Sequence, residues 1–262
     1  MRGGFPRASR KSQGVTMKPS MIRLGNFLFR HRNQVFPILV LLLFLAWPPR
    51  NMGSPALEHV KDAIALLVAL TGLALRGTVI GYAYIKRGGV NKKVYAKHLV
   101  TEGMFGICRN PLYVGNLLIY TAVFLMHGNP IVALIGIASF LFIYQCIVYA
   151  EEDYLQDKFG EAYRAYCADV PRWLPRFGKY AEAIDGMAFN LKRVISKDYS
   201  TISATLIGLA LVKIYEHLAG PDPSQGRAYL LLLAASIGLV GLTAGVIRAL
   251  KKRGSFQEET AV

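Results

Sequence analysis

Apolar residues are gathered into six runs, at 34–47, 64–85, 112–126, 131–150, 203–218 and 229–250. About 20 helical residues cross the ~30 Å hydrocarbon core of a bilayer, so three runs span it comfortably and the other three need flanking residues or altered tilt. The pattern predicts an all-α, polytopic membrane bundle of six helices. The connection "HGNP", 127–130, is short enough to force the third and fourth helices into an antiparallel hairpin. The breaker-rich "WPPRNMGSP", 47–55, is expected as the loop joining the first two.

After the fourth run the pattern changes. "AEEDYLQDKFGEAYRAYCADVPRWLPRF", 150–177, is charged and aromatic, and Leu155, Phe159, Tyr163 and Tyr166 follow the spacing of one helix face. The spacing predicts a helix that leaves the membrane and lays a tyrosine-rich side against something. Two prolines four apart in "VPRWLPRF" then favour extended chain. The expected organisation is a basic leader at 1–33, four membrane helices at 34–150 with a basic loop at 86–110, and a ligand-binding segment at 151–180. A polar linker at 181–202, a membrane hairpin at 203–250 and a tail at 251–262 complete it.

The composition agrees: 53% of the 262 residues are hydrophobic, too many for an ordinary soluble domain. The net charge of +15 raises the question of nucleic acid, but its placement answers it. Arg2, Arg7, Arg10, Lys11, Lys18, Arg23, Arg30 and Arg32 fill the leader, which has no acid. Lys86, Arg87, Lys92, Lys93, Lys97 and Arg109 lie in the loop after the second run, and Arg248, Lys251, Lys252 and Arg253 lie at the end of the sixth. Six spans with both termini cytoplasmic put every basic segment on one face, as the positive-inside rule requires. The charge therefore reports topology and attraction to anionic headgroups, with no nucleic-acid partner expected. The leader is too long for a cleaved signal peptide, so the first run reads as an uncleaved anchor, its approach near "LGNFLFRHR" lying at the interface.

Few residues are placed to carry chemistry. The three cysteines form no close pair and the five histidines are scattered, so no metal centre is expected. Arg76 lies near the middle of the second run, where a guanidinium must snorkel, pair, or face a polar cavity. Glu151 and Glu152 end the fourth run; adjacent helical residues diverge, so one of them is expected only to mark the membrane boundary. In "GICRNPLYVGN", 106–116, Asn110 and Pro111 have the chemistry of a helix start. Tyr113, Tyr163 and Tyr166, with Trp173, suit an aromatic belt or a shared site, because all converge on the same face.

The ordered set "KHLVTEGMFGICRNPLYVGN" and "EEDYLQDKFGEAYRAYCADVPRWLP" resembles the integral-membrane methyltransferases of the isoprenylcysteine carboxyl methyltransferase and phospholipid methyltransferase type. Those families carry an Arg-His-Pro-x-Tyr motif, paired glutamates, Phe-Gly, spaced tyrosines and a closing Pro segment. The resemblance covers about 70–177. It implies S-adenosylmethionine bound between the cytoplasmic helix ends and the segment after the glutamates. His98, Leu99, Val100 and Gly103 are implied to line the cofactor, and Asn110 and Tyr113 to take the Arg-His-Pro-x-Tyr roles. Arg109, Glu151, Tyr163 and Tyr166 complete the implied cofactor set, with Arg76, Glu152 and Arg172 as catalytic candidates. Asn110 stands where the family keeps His, and the terminal hairpin lies beyond the resemblance.

The implied reaction is methyl transfer to an amphiphile, a prenylated or other lipid-tailed substrate. A carboxylate acceptor is already nucleophilic and needs a cation such as Arg76 or Arg172 to hold it. An ammonium acceptor must first lose a proton, for which Glu151 or Glu152 is placed. An NADPH-dependent reductase of the sterol-reductase type shares a similar motif, and a membrane scaffold or transporter is the non-enzymatic alternative.

Overall fold

The computed structural model describes residues 19–82, 96, 98–220 and 226–256. The start of the expected leader, most of the basic loop, the tip of the terminal hairpin and the tail from 257 lie outside the described residues. The rest is a helical bundle, with no strand among the described residues. Its elements are α1 (Pro19–Ala46), α2 (Pro55–Tyr82), α3 (Met104–Ile107), α4 (Pro111–His127), α5 (Pro130–Phe159), α6 (Glu161–Asp169), α7 (Tyr180–Ala183), α8 (Leu191–Leu218) and α9 (Arg227–Lys252). Five are long and apolar enough to cross a membrane. The sixth, α4, has 17 residues, and at 1.5 Å per residue it covers about 25 Å of the core.

Local signals set the hairpin between α4 and α5. Gly128 closes α4 in the left-handed region at φ 76°, and the Asn129 side chain caps α5 by accepting from the Ile131 N–H at 3.0 Å. The Asn129 amide also donates to the Pro48 carbonyl at 2.8 Å, pinning the α1–α2 loop to this turn.

α1 packs along α5, and α2 along α4. The second contact is glycine on glycine. A Cβ on Gly72 would stand 2.8 Å from the Gly115 carbonyl oxygen, and one on Gly115 2.6 Å from Arg76 Cγ. Small residues here let the two backbones meet, as membrane helices without a hydrophobic driving force require. α8 closes over α2 and α4, and α9 packs on α8 with no buried residue of its own.

Three expectations change. α1 begins at Pro19, not 34, because Gly25, Leu28, Phe29, Phe36 and Leu43 form a buried stripe against α5 that continues into the basic approach. The expected linker is helical from Leu191, so α8 starts twelve residues early. Its polar residues conceal the helix, yet Ser196 and Asp198 are buried and Asn190 caps it at the Arg193 N–H. The helix predicted through 155–166 breaks at Gly160, φ 53°, which separates α5 from α6.

At the end of the bundle that carries the α4–α5 turn, α8 is fastened by charge. Lys61 Nζ is 2.7 Å from Glu216 and 2.8 Å from Glu58, while Lys213 Nζ is 2.7 Å from Asp62 and also pairs with Glu216. Sequence position gave no hint of this knot, which unites residues some 150 positions apart.

Candidate active site

The opposite end is organised around the start of α4. Pro111 occupies the first helical position as expected, but the Asn110 side chain does not cap the helix. Its amide instead donates to the Arg172 carbonyl at 3.1 Å. Backbone bonds continue the tie: Arg109 N–H to the Pro171 carbonyl at 2.8 Å and Arg176 N–H to the Ile107 carbonyl at 3.1 Å. The extended, proline-bounded chain after α6 leaves its carbonyls free for this, which a helix would not. Trp173 anchors the same segment to α5 by donating to Gln145 Oε1 at 3.0 Å.

Glu152 lies at the centre of this arrangement and is buried. Arg172 meets it with two bonds of 2.8 Å each, and Arg109 donates to it at 3.0 Å. Arg109 also reaches Cys167 Sγ, and Arg172 lies over the Tyr149 ring at 5.4 Å. Burial alone works against the charge of Arg172, but the hydrogen bonds and charge of Glu152 outweigh it and hold its pKa above the ordinary value. Burial, then the charge of Glu152, raises the Tyr163 pKa well above its usual range, so its phenol stays protonated. Tyr166, raised chiefly by burial, donates to the Phe105 carbonyl at 2.8 Å.

Glu151 is engaged as well, accepting from the Tyr113 hydroxyl at 2.6 Å. The expectation that one glutamate only marks the boundary is therefore corrected. α5 is flanked by α4 on one side and the segment after α6 on the other, so both directions hold a partner.

Arg76 is buried in α2 and both pairs and faces a cavity. Its guanidinium binds both oxygens of Asp198 on α8, with Nε at 3.1 Å, and also bonds Asn116 and Thr201. Asp198, Asn116 and Thr201 were not singled out from sequence. A buried arginine calls for an acid, and a lone Asp in an otherwise basic stretch was the available signal.

One cavity of about 1390 Å³ joins these groups. At its polar end it is lined by His98, Leu99, Val100, Arg109, Asn110, Tyr113, Glu151, Glu152, Tyr163 and Tyr166, then by Arg76. From there an apolar limb runs between α1, α4 and α8 to Phe44 and Tyr215, where the Tyr215 hydroxyl donates to the Phe44 carbonyl at 3.0 Å. Arg172 stands behind Glu152 rather than on the wall. Gly103 is not on the wall either; it turns the chain into α3 at φ 58°. Arg32 and Asn33 of α1 also line the cavity and were read from sequence only as part of the basic leader.

The phospholipid methyltransferase family matches residues 63–162. The chain is 27% identical over 161 residues to rat protein-S-isoprenylcysteine O-methyltransferase, covering 60% of this chain and 56% of that one. It is 33% identical over 114 residues to protein-S-isoprenylcysteine O-methyltransferase B of Arabidopsis thaliana, covering 42% and 57%. It is also 27% identical over 165 residues to the cobalt-zinc-cadmium resistance protein CzcN of Cupriavidus metallidurans, covering 60% and 69%. The chain thus spans little more than half the length of the two methyltransferase relatives. No solved structure matches it. The family match takes in α2 from residue 63 through α5 to the first residues of α6, which hold Arg76, Arg109, Tyr113 and both glutamates; over this stretch the chain matches the phospholipid methyltransferase family and is similar to membrane protein-S-isoprenylcysteine O-methyltransferases.

Proposed function

We propose that the protein transfers a methyl group from S-adenosylmethionine to an amphiphile whose tail lies between the membrane helices. The observation that carries this reading is the continuity of the cavity, which joins the cluster at Glu151 and Glu152 to an apolar limb ending at Phe44 and Tyr215. A single small-molecule pocket takes roughly 300–1,000 Å³, so this larger space has room for cofactor and lipid together. The prenyl group in the names of the rat and Arabidopsis relatives fits such a limb.

The polar end suits the cofactor chemically. Leu99, Val100, Phe105 and the phenols of Tyr163 and Tyr166 offer an apolar and aromatic wall for adenosine. The buried Nε–H of Arg109 has no protein partner among the described residues and is a donor for an amino-acid carboxylate. Bound there, S-adenosylmethionine supplies a methyl group on a sulfonium whose departure as a thioether needs no proton. The chain contributes alignment and field. Glu152 fixes Arg109 and Arg172, Tyr113 orients Glu151, and α1, α4 and α8 supply the apolar walls of the limb. The family position usually held by His is here an amide that ties two segments together, so proton transfer is not assigned to it. The positive-inside rule supports a cytoplasmic site, because Arg32, Arg109 and Lys251 lie at this end among the described residues.

The test is incubation of the purified full chain with methyl-labelled S-adenosylmethionine and a membrane lipid extract. Label is expected in a lipid-extractable product and is expected to vanish with Glu152→Gln. Absence of any labelled product from the native protein contradicts the reading.

A further inference from the structure

We propose that the strap from Pro171 to Lys179, which follows α6, is an interfacial anchor whose partner is the leaflet of the host bilayer bordering the polar end. The strap lies beyond the family match, which ends at residue 162. Leu174 is 82% exposed and Phe177 64%, and Leu174 is the most exposed large apolar side chain among the described residues. Neither belongs to loose chain. The Arg109 N–H bonds the Pro171 carbonyl at 2.8 Å, the Asn110 amide the Arg172 carbonyl at 3.1 Å, and the Arg176 N–H the Ile107 carbonyl at 3.1 Å. The Cys108 thiol adds a weak bond to the Trp173 carbonyl at 3.3 Å. Inward, Trp173 packs on the core between α1 and α5, and Arg172 holds Glu152. A strap fastened at so many points, with Leu174 and Phe177 left outside, is a built apolar surface.

Depth identifies what covers it. Trp173 donates to Gln145, and the distance along α5 from Pro130 to Gln145 is about 22 Å. Gly25 of α1 abuts the backbone of the next residue, Cys146, and the distance along α1 from Gly25 to Ala46 is about 31 Å. Both lengths are measured from the end that carries the α4–α5 turn, so Trp173 lies at or just inside the opposite edge of a ~30 Å hydrocarbon core. The residues there have the composition of a bilayer interface. Trp173, Leu174 and Phe177 alternate with Arg176, which also donates to the Asp169 carbonyl, and with Lys179. At the same depth α1 exposes Leu24 and Phe27 beside Arg23 and Arg30. Such apolar side chains sink toward the acyl chains while the cations stay with the phosphates. A soluble partner has to cross that headgroup layer to reach Leu174. Because the same strap carries Arg172 to Glu152, contact with the leaflet also seats the partner of Glu152.

The test is depth-dependent fluorescence quenching of the full chain in vesicles of phosphatidylcholine and phosphatidylglycerol. Trp47→Phe leaves Trp173 as the single tryptophan. Adding Trp173→Phe with Leu174→Trp or Phe177→Trp moves the fluorophore outward. Glu161→Trp on the same background, at an exposed position of α6, marks water. Each chain is compared in plain lipid, in lipid brominated near the headgroup, in lipid brominated at the chain ends, and with aqueous iodide. Leu174→Trp and Phe177→Trp are expected to lose intensity to the shallow bromines more than to the deep ones and to resist iodide, the reverse of Glu161→Trp. Loss to iodide with none to either brominated lipid shows a surface that stands in water or serves a soluble partner, and overturns the proposal. Quenching strongest from the chain ends overturns it too, since the segment then lies within the core. If the Trp173→Phe chains fail to fold, Trp173 in the Trp47→Phe chain, with its bond to Gln145 intact, reads the same depth. Shallow quenching there supports the anchor, and iodide quenching overturns it.

Discussion

At the residue scale the least expected contact is that of Asn110. Its side chain has the chemistry of an N-cap, yet it joins the start of α4 to the extended chain that carries Arg172. Asn110→Ala removes this bond and leaves the carbonyl only the weak donor of the Cys108 thiol at 3.7 Å, at a cost of about 1–3 kcal/mol. Asn110→His keeps a donor near the same place. The melting temperature is expected to fall for alanine and to be largely retained for histidine; equal losses exclude the tether. Cys108 offers a second test, from pH. Burial raises its thiol from 9.0 to about 11 despite the backbone hydrogen bond at Asn110 and the charge of Arg109. The folded state therefore keeps a proton that the unfolded state releases. This contribution to stability is complete below pH 9 and is lost as pH rises through about 11. The native protein is expected to lose melting temperature faster than Cys108→Ser across that window, and identical profiles contradict it. Arg76 and the paired glutamates were legible in the sequence because a charge in an apolar run is costly and so conspicuous. Arg32 was not, because a cation among other cations at a membrane edge already has an explanation.

At the scale of elements, the long apolar runs were legible and their ends were not. Hydropathy marks where a helix meets lipid, whereas α1 and α8 continue beyond that point on stripes buried against protein. Asp198 illustrates the difficulty. It sits in a stretch that reads as linker, and only the packing of α8 on α2 brings it to Arg76. This pair fastens the terminal hairpin to the family core, and its burial makes each partner dependent on the other. Breaking a buried pair on one side costs about 3–5 kcal/mol, whereas replacing both by apolar groups is often neutral. Asp198→Leu alone is expected to lower the melting temperature sharply, and adding Arg76→Leu to recover much of the loss. A double variant no better than the single one shows that the ion pair is not what fastens α8. The break at Gly160 was hidden for a different reason: the apolar spacing continues across it, and only the positive φ reveals the turn.

At the scale of the molecule, the bundle has two dissimilar ends. One is tied by the Lys61, Lys213 and Glu216 knot beside Tyr215; the other gathers the polar groups around Glu152. Between them the cavity runs past residues of α1 from Arg32 to Leu45, about 20 Å of helix. The sequence located the polar end, since most of its residues lie in the motif, but not the limb, which is built across α1 and α8. On the proposed reading, the polar end receives a headgroup and the apolar limb the tail of one extended amphiphile beside a cofactor. The most direct measurement is thermal unfolding of the purified full chain with S-adenosylmethionine, its demethylated product or NADPH, repeated on Arg109→Gln. At a hundred times its dissociation constant a ligand adds about 2.7 kcal/mol. The expected result is stabilisation by S-adenosylmethionine and its product, none by NADPH, and loss of the effect in the variant. No stabilisation by S-adenosylmethionine at millimolar concentration, or stabilisation by NADPH instead, contradicts a methyl-transfer site here.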